Sequence, residues 1–415
     1  MIHATYRIET PLDPARVAAM MAGEQSSGTF VKVQGETDAI NARFGARVVG
    51  VEVLEEADTP SLSSAYLERK GAKGPWRRAS VEIAYPEDNV GVNLPNLAAV
   101  VAGNLFDLGE LTGLRLMSLE LRPEYRDRYL RPAHGIEGTR KAVGVFERPL
   151  FGTILKPNIG MSPNETADLV EKLCEAGVDF IKDDEIAGNH PYAPVEARVS
   201  AVMQRVRAFR ERSGRNVMVA FNITDELDAM RRHADHVQAE GGSCVMASLN
   251  WCGLSALQSL RASTPLVIHG HRNGFGAFAR HPALGIDFAA YQTLYRLAGI
   301  DHLHVHGMGG KFADATEEVV EAAKLSLTTL GSQDDRVMPV FSSGQWAGTL
   351  PLTYDKLQRH DFMFLAGGGI LAHPDGPAAG VASLKEAWQS IEAGTPLARS
   401  NRPALASALD FFGGR

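Results

Sequence analysis

The sequence predicts an α/β protein, a C-terminal (β/α)8 TIM barrel preceded by a smaller α+β domain. Three observations carry this. Eight short apolar runs recur between residues 150 and 366, with helical spacing between and after them, which argues for a closed parallel barrel over an open sheet. Before about residue 125 the apolar residues alternate instead, in the manner of half-buried strands. The chain has 415 residues, 45% hydrophobic and 22% charged, which suits one large domain and one small one.

In the first part, Val81, Ile83 and Tyr85 alternate with Glu82 and Ala84, and Leu114, Leu116, Leu119 and Leu121 form a similar run. A helix is expected between them, over 97–106. The stretch 122–134 is charged and flanked by proline, and reads as a linker dividing 1–130 from 131–415. The barrel strands are expected at 150–155, 178–182, 217–221, 244–249, 265–269, 302–306, 337–341 and 362–366. The first barrel helix is marked by Ser162-Pro163-Asn164-Glu165, a capping box with proline at the first helical position, and by Gly177 at its end.

Composition narrows the function. A net charge of −7 argues against an extended nucleic-acid groove. No run approaches the ~18 apolar residues of a membrane span, and MIHATYRIET lacks the pattern of a secretory leader. Three cysteines, Cys174, Cys244 and Cys252, make no disulfide framework and fit no zinc spacing. A cytoplasmic protein is expected.

A barrel of this kind places its chemistry at the C-terminal ends of its strands. Those ends read Lys156, Lys182-Asp183-Asp184-Glu185, Asn222, His269-Gly270-His271-Arg272, His304 and His306, Ser342-Ser343-Gly344, and Gly367-Gly368-Gly369. Two carboxylates from the acidic cluster suit Mg²⁺, with Lys182 excluded unless modified or deprotonated. Glycine clusters after the last two strands suit a phosphate, because their backbone N–H groups are free to face an anion. Arg272 suits a second phosphate. By strand alternation His302, His304 and His306 are expected to face one way. Lys311, in the glycine-rich loop HGMGGKF, suits a lid carrying a cation. The sum is a metal-assisted reaction on a phosphorylated, oxygen-rich small molecule, passing through an enediolate.

These residues resemble the large subunit of ribulose-1,5-bisphosphate carboxylase (RuBisCO) and its RuBisCO-like relatives. GTILKP, FIKDDE, HGHR, DHLHVHGMGGK, PVFSSG and AGGG resemble the family's barrel motifs, and GEQSSGTF and GNLF its N-terminal ones. The resemblance implies that Lys182 is carbamylated by CO₂ and binds Mg²⁺ with Asp184 and Glu185. It implies Lys156, His271 and Lys311 at the reacting atoms. Glu24, Thr29, Asn104, Arg272, His304, Ser342, Gly344, Gly367 and Gly368 would contact substrate or phosphate. A homodimer with shared sites is implied, Glu24, Thr29 and Asn104 serving the neighbouring subunit. The departures point away from CO₂ fixation. Asn158 stands where the carboxylase has a second lysine, Phe30 where it has Trp, Ser343 where it has Gly, and the lid continues FADATEE. The pattern resembles the non-carboxylating form IV group. Within it, decarboxylation or C–C cleavage of a branched keto sugar-acid phosphate, such as 3-oxo-isoapionate 4-phosphate, is the expected reaction. The alternatives are a methionine-salvage diketone-phosphate tautomerase, the carboxylase itself, or a non-catalytic regulator.

Overall fold

Strand phase and helix caps account for most of the architecture. The structure, a computed structural model, describes residues 1–28 and 33–414; the Thr29 and Phe30 readings lie outside those residues. Thirteen strands are present among them: β1 (Ile2–Thr10), β2 (Arg47–Ala57), β3 (Trp76–Tyr85), β4 (Gly113–Leu121), β5 (Leu150–Ile154), β6 (Phe180–Lys182), β7 (Met218–Asn222), β8 (Cys244–Ser248), β9 (Val267–His271), β10 (Leu284–Ile286), β11 (His302–His304), β12 (Met338–Phe341) and β13 (Met363–Leu365).

The chain divides into two compact units. The first comprises Met1–Tyr129, Gly274–Ala298 and Leu330–Asp334; the second comprises Leu130–Asn273, Gly299–Thr329 and Asp335–Arg415. In the first unit five strands form a mixed sheet in the order β10-β4-β1-β3-β2. Neighbours pair antiparallel except β10, which lies parallel to β4 with Leu284 opposite Leu114. The expected helix over 97–106 runs from Leu94 to Ala102 and is followed by a 3₁₀ turn at Asn104–Asp107. Asn93 caps it and Leu94-Pro95 opens it, a start signal stronger than the apolar spacing further in. The stretch read as a linker is no exposed tether, for Tyr125, Arg126 and Tyr129 are all buried.

The second unit is a closed barrel in the order β11-β12-β13-β5-β6-β7-β8-β9, every adjacent pair parallel. Local signals set the helix at Pro163–Ala176 as expected. Ser162 Oγ accepts from Glu165 N, Glu165 returns the bond to Ser162 N, and Gly177 closes the helix at φ 96°. β9 runs two residues beyond the expected end, so His271 is a strand residue. β11 stops early, at His304. His306 then turns to φ 68°, which breaks the alternation, so it does not share the facing of His302 and His304 as expected.

Candidate active site

Alternate strand residues fill the barrel. Leu150, Phe180, Met218 and Ala220, Cys244 and Met246, Val267, Met338 and Val340, and Met363 and Leu365 belong to one buried apolar cluster. The same phase carried to the C-terminal ends gives Lys182, Asn222, Ser248, His271, His304 and Ser342. The barrel is therefore apolar below, apart from the buried His269 and His302, and polar at its mouth.

The four residues 182–185 divide by this phase. Lys182 is 1% exposed. Its Nζ donates to Asp183 O at 2.7 Å and lies 3.6 Å from Glu185 Oε2. Burial lowers its pKa, against the pull of Glu185 and Asp184. Asp183 turns the other way, into Arg198 (3.1 Å) and the Asn222 N–H (2.9 Å), so it is an anchor. Asp184 Oδ2 accepts from Lys156 Nζ at 2.6 Å, and Asn158 Oδ1 accepts from the same ammonium at 2.9 Å. Asn222 Nδ2 fixes the backbone, donating to Asp184 O and Glu185 O at 3.1 Å each. His271 Nε2 is 3.6 Å from Glu185 Oε2, and its Nδ1 accepts from Asn273 N at 3.2 Å, so the ring proton sits on Nε2.

Among the described residues no three His, Cys, Asp or Glu side chains gather as a metal cluster. Asp184 and Glu185 supply hard oxygens, and Lys182 Nζ stands 3.6 Å from Glu185 Oε2. A buried lysine biased toward its free amine is the form that reacts with CO₂, and a carbamate would complete an oxygen set of the kind Mg²⁺ takes. The donor chemistry fits that group.

Beside these lies a row of buried imidazoles. Thr139 Oγ1 donates to Gly135 O at 2.5 Å and lies 2.8 Å from His302 Nε2. His302 Nδ1 is 3.2 Å from His269 Nδ1, His269 Nε2 is 2.7 Å from His304 Nε2, and His304 Nδ1 is 3.0 Å from Ser342 Oγ. Burial holds all three rings below the usual histidine range, His302 down to about 3, so each is neutral at pH 7.

A third group sits at the lid. Arg272, 3% exposed, donates to Asp314 Oδ1 at 2.7 Å and to His306 Nε2 at 3.2 Å. His306 Nδ1 is 2.5 Å from Asp314 Oδ2, and Phe312 packs on its ring at 4.6 Å. Burial pushes the Asp314 carboxyl up, but the His306 bond and the Arg272 charge override it and hold it below the usual range. Lys311 is exposed, its ammonium 5.4 Å from the Phe312 ring centre. A Cβ on Gly307 would stand 2.5 Å from Ser342 O, which is why the lid base requires glycine there. Ser343 and Gly344 take φ of 74° and 75°. Gly367 and Gly368 open the short helix Gly367–Leu371, and a Cβ on Gly368 would meet nothing within 4 Å, leaving that turn approachable.

The barrel thus brings together Lys156, Lys182, Asp184, Glu185 and His271, and next to them, through a His271–His304 ring contact at 4.4 Å, His304 and Ser342, with Arg272 at the lid. In the first unit Asn104 Nδ2 donates to Glu24 Oε1 at 3.4 Å, and both side chains are exposed. Sequence reasoning missed Asp314 and Thr139. The lid's departure at FADATEE was the available signal for the first; nothing local marked the second.

A mixed-sheet unit joined to a closed eight-stranded barrel with a polar mouth defines a two-part (β/α)8-barrel protein. The chain belongs to the ribulose bisphosphate carboxylase large-chain family, whose catalytic-domain model matches residues 135–412 and whose N-terminal-domain model matches 2–125. It is 48% identical over 414 residues, covering 99% of both chains, to a 3-oxo-isoapionate-4-phosphate transcarboxylase/hydrolase of Xanthobacter autotrophicus. It is 40% identical over 415 residues, covering 99% of this chain and 98% of the other, to a 3-oxo-isoapionate-4-phosphate decarboxylase of Rhizobium rhizogenes. A crystal structure of a rubisco-like protein from Burkholderia fungorum, 58% identical, superposes with a TM-score of 0.94 over 99% of each chain. No helix among the described residues is long and apolar enough to cross a membrane.

Proposed function

We propose that this protein is a Mg²⁺-dependent enzyme that cleaves a C–C bond in a phosphorylated branched keto sugar acid of the 3-oxo-isoapionate 4-phosphate type, releasing the carboxyl carbon. The observation that carries this reading is the fully buried Lys182 beside Asp184 and Glu185, with Lys156 bonded to that same Asp184. The relatives that act on 3-oxo-isoapionate 4-phosphate support the substrate class.

The Lys182 amine adds to the carbon of CO₂ and loses a proton, leaving an anionic carbamate. With that carbamate, Asp184 and Glu185 would hold Mg²⁺, which when bound would supply a Lewis acid for the substrate ketone and offset the negative charge left as the C–C bond breaks. Lys156 Nζ, held between Asp184 and Asn158, returns a proton to the carbon that has lost its carboxyl group. His271 presents its Nε2 proton toward the same centre. The N–H groups of Gly367 and Gly368 bind the phosphate, Gly344 and Arg272 line the mouth, and Lys311 closes over it. A homodimer supplies the remainder. Glu24 and Asn104 are exposed side by side in a single chain, which supports a role for them in a neighbour's site; the family resemblance adds Thr29 to that role.

The test is ³¹P and ¹³C NMR of the protein with Mg²⁺, bicarbonate and 3-oxo-isoapionate 4-phosphate. Release of CO₂ or an equivalent C–C cleavage is expected. Inertness toward this acid, with tautomerisation of 2,3-diketo-5-methylthiopentyl 1-phosphate in a parallel tube, would overturn the reading.

A further inference from the structure

Hydrogen-bond polarity can be followed through the barrel from one fixed end. The Thr139 hydroxyl has a single proton, and Gly135 O takes it. His302 Nε2 must then donate to Thr139 Oγ1. A neutral imidazole has one N–H, so His302 Nδ1 accepts, from His269 Nδ1. His269 Nε2 accepts in turn from His304 Nε2. His304 Nδ1 is left as an acceptor, and the Ser342 hydroxyl points its proton there. What Ser342 offers a ligand is a lone pair.

The neighbouring lid adds a second, independent acceptor. Ser342 N donates to His306 O at 3.4 Å, and His306 is clamped with Arg272 by the Asp314 carboxylate. A phosphate dianion brought to Arg272 would meet that carboxylate, and Ser342, whose N–H is held by the same His306, has no hydroxyl proton to give it. A hydroxyl group suits both, since it donates to Asp314 or Ser342 and accepts from Arg272.

We propose that Asp314 and Ser342 turn the Arg272 end of the mouth into a hydroxyl-selective subsite that rejects a second phosphate. The substrate is then a monophosphate with an uncharged polyol end seated here. This rests on the phosphorylated sugar-acid reading above and adds which end of the substrate is uncharged, and why.

The experiment is calorimetric titration of the full chain with D-ribulose 5-phosphate and D-ribulose 1,5-bisphosphate. Wild type should show no preference for the bisphosphate. Asp314→Asn should raise bisphosphate affinity by about tenfold or more, equivalent to about 1.4 kcal/mol, and leave the monophosphate within about twofold. Ser342→Ala should weaken the monophosphate alone. Failure of Asp314→Asn to raise bisphosphate affinity, an equal change for both ligands, or equal weakening of both by Ser342→Ala overturns the proposal. Binding is read without turnover, so failure of the C–C cleavage test leaves this result standing.

Discussion

Replacing Lys182 by methionine separates its role in chemistry from its role in packing. The side chain is 1% exposed, and its amine makes one hydrogen bond, to Asp183 O, with Glu185 3.6 Å away. Methionine is close in length and needs no polar partner. The substitution leaves the Asp183 carbonyl without that donor, a cost of about 1–3 kcal/mol. It also removes a buried amine whose own desolvation costs a similar amount. The two offset, so Lys182→Met should stay within about 1 kcal/mol of wild type, read as a melting shift of a few degrees at most. Activity should behave differently. On the proposed reading the carbamate that would help hold Mg²⁺ can no longer form, and kcat/KM should fall by roughly a thousandfold, about 4 kcal/mol of transition-state stabilisation. Thermal unfolding with and without Mg²⁺ and bicarbonate, together with ³¹P-detected turnover, reads both. Wild type should gain stability from the pair of additives and the variant should not. Retention of more than about a tenth of kcat/KM, or an unchanged response to Mg²⁺ and bicarbonate, would refute the reasoning.

Three further outcomes are expected. Asp183→Ala strands the buried Arg198 guanidinium and should cost about 3–5 kcal/mol in chemical denaturation, whereas Asp184→Ala should melt near wild type yet lose turnover; the reverse pattern would disprove the assignment. Mixing Lys182→Ala with Asn104→Ala protein should restore activity toward about a quarter of wild type, because random pairing gives half heterodimers with one intact site each; no recovery on mixing would remove the shared site. In the first unit Arg122 clamps Glu87 at 2.8 and 2.7 Å and holds its carboxyl down to about 2. A lowered acid stabilises the fold above its unfolded pKa and stops doing so as pH falls through the folded value. Glu87→Gln should therefore lose about 1–2 kcal/mol at pH 7, after allowance for the exposed Arg122, and the gap should close between about pH 4.5 and pH 2. An equal gap at both ends of that range would contradict it.

Much of the barrel is legible because its signals are local. Strand phase, the capping box at Ser162 and the terminal glycine at Gly177 each act within a few residues. The rule that such barrels work at their strand ends then picks out Lys156, Lys182 and Ser342 without any tertiary knowledge. What escapes depends on distant partners or on phase. Asp183 and Asp184 are adjacent and chemically alike, and only the register of β6 shows that one meets Arg198 and the other Lys156. Asp314 acquires its meaning from Arg272, 42 residues earlier. The facing of His306 fails because its backbone turns left-handed after β11, and a histidine gives little warning of that conformation.

The pairing of β10 with β4 has a consequence for how the chain is made. Leu284–Ile286 lies between two barrel strands in sequence yet forms an edge of the first unit's sheet. A ribosome that has finished β4 has not yet made the strand that covers it, and more than half of the barrel must emerge first. Until then β4 presents an open row of backbone donors and acceptors, the kind of edge that recruits stray strands. The two units therefore do not mature in simple order from the N-terminus, and a fragment ending near residue 130 would carry that unfinished edge permanently. Expression as such a fragment should favour aggregation, and supplying the 274–298 segment in trans should relieve it.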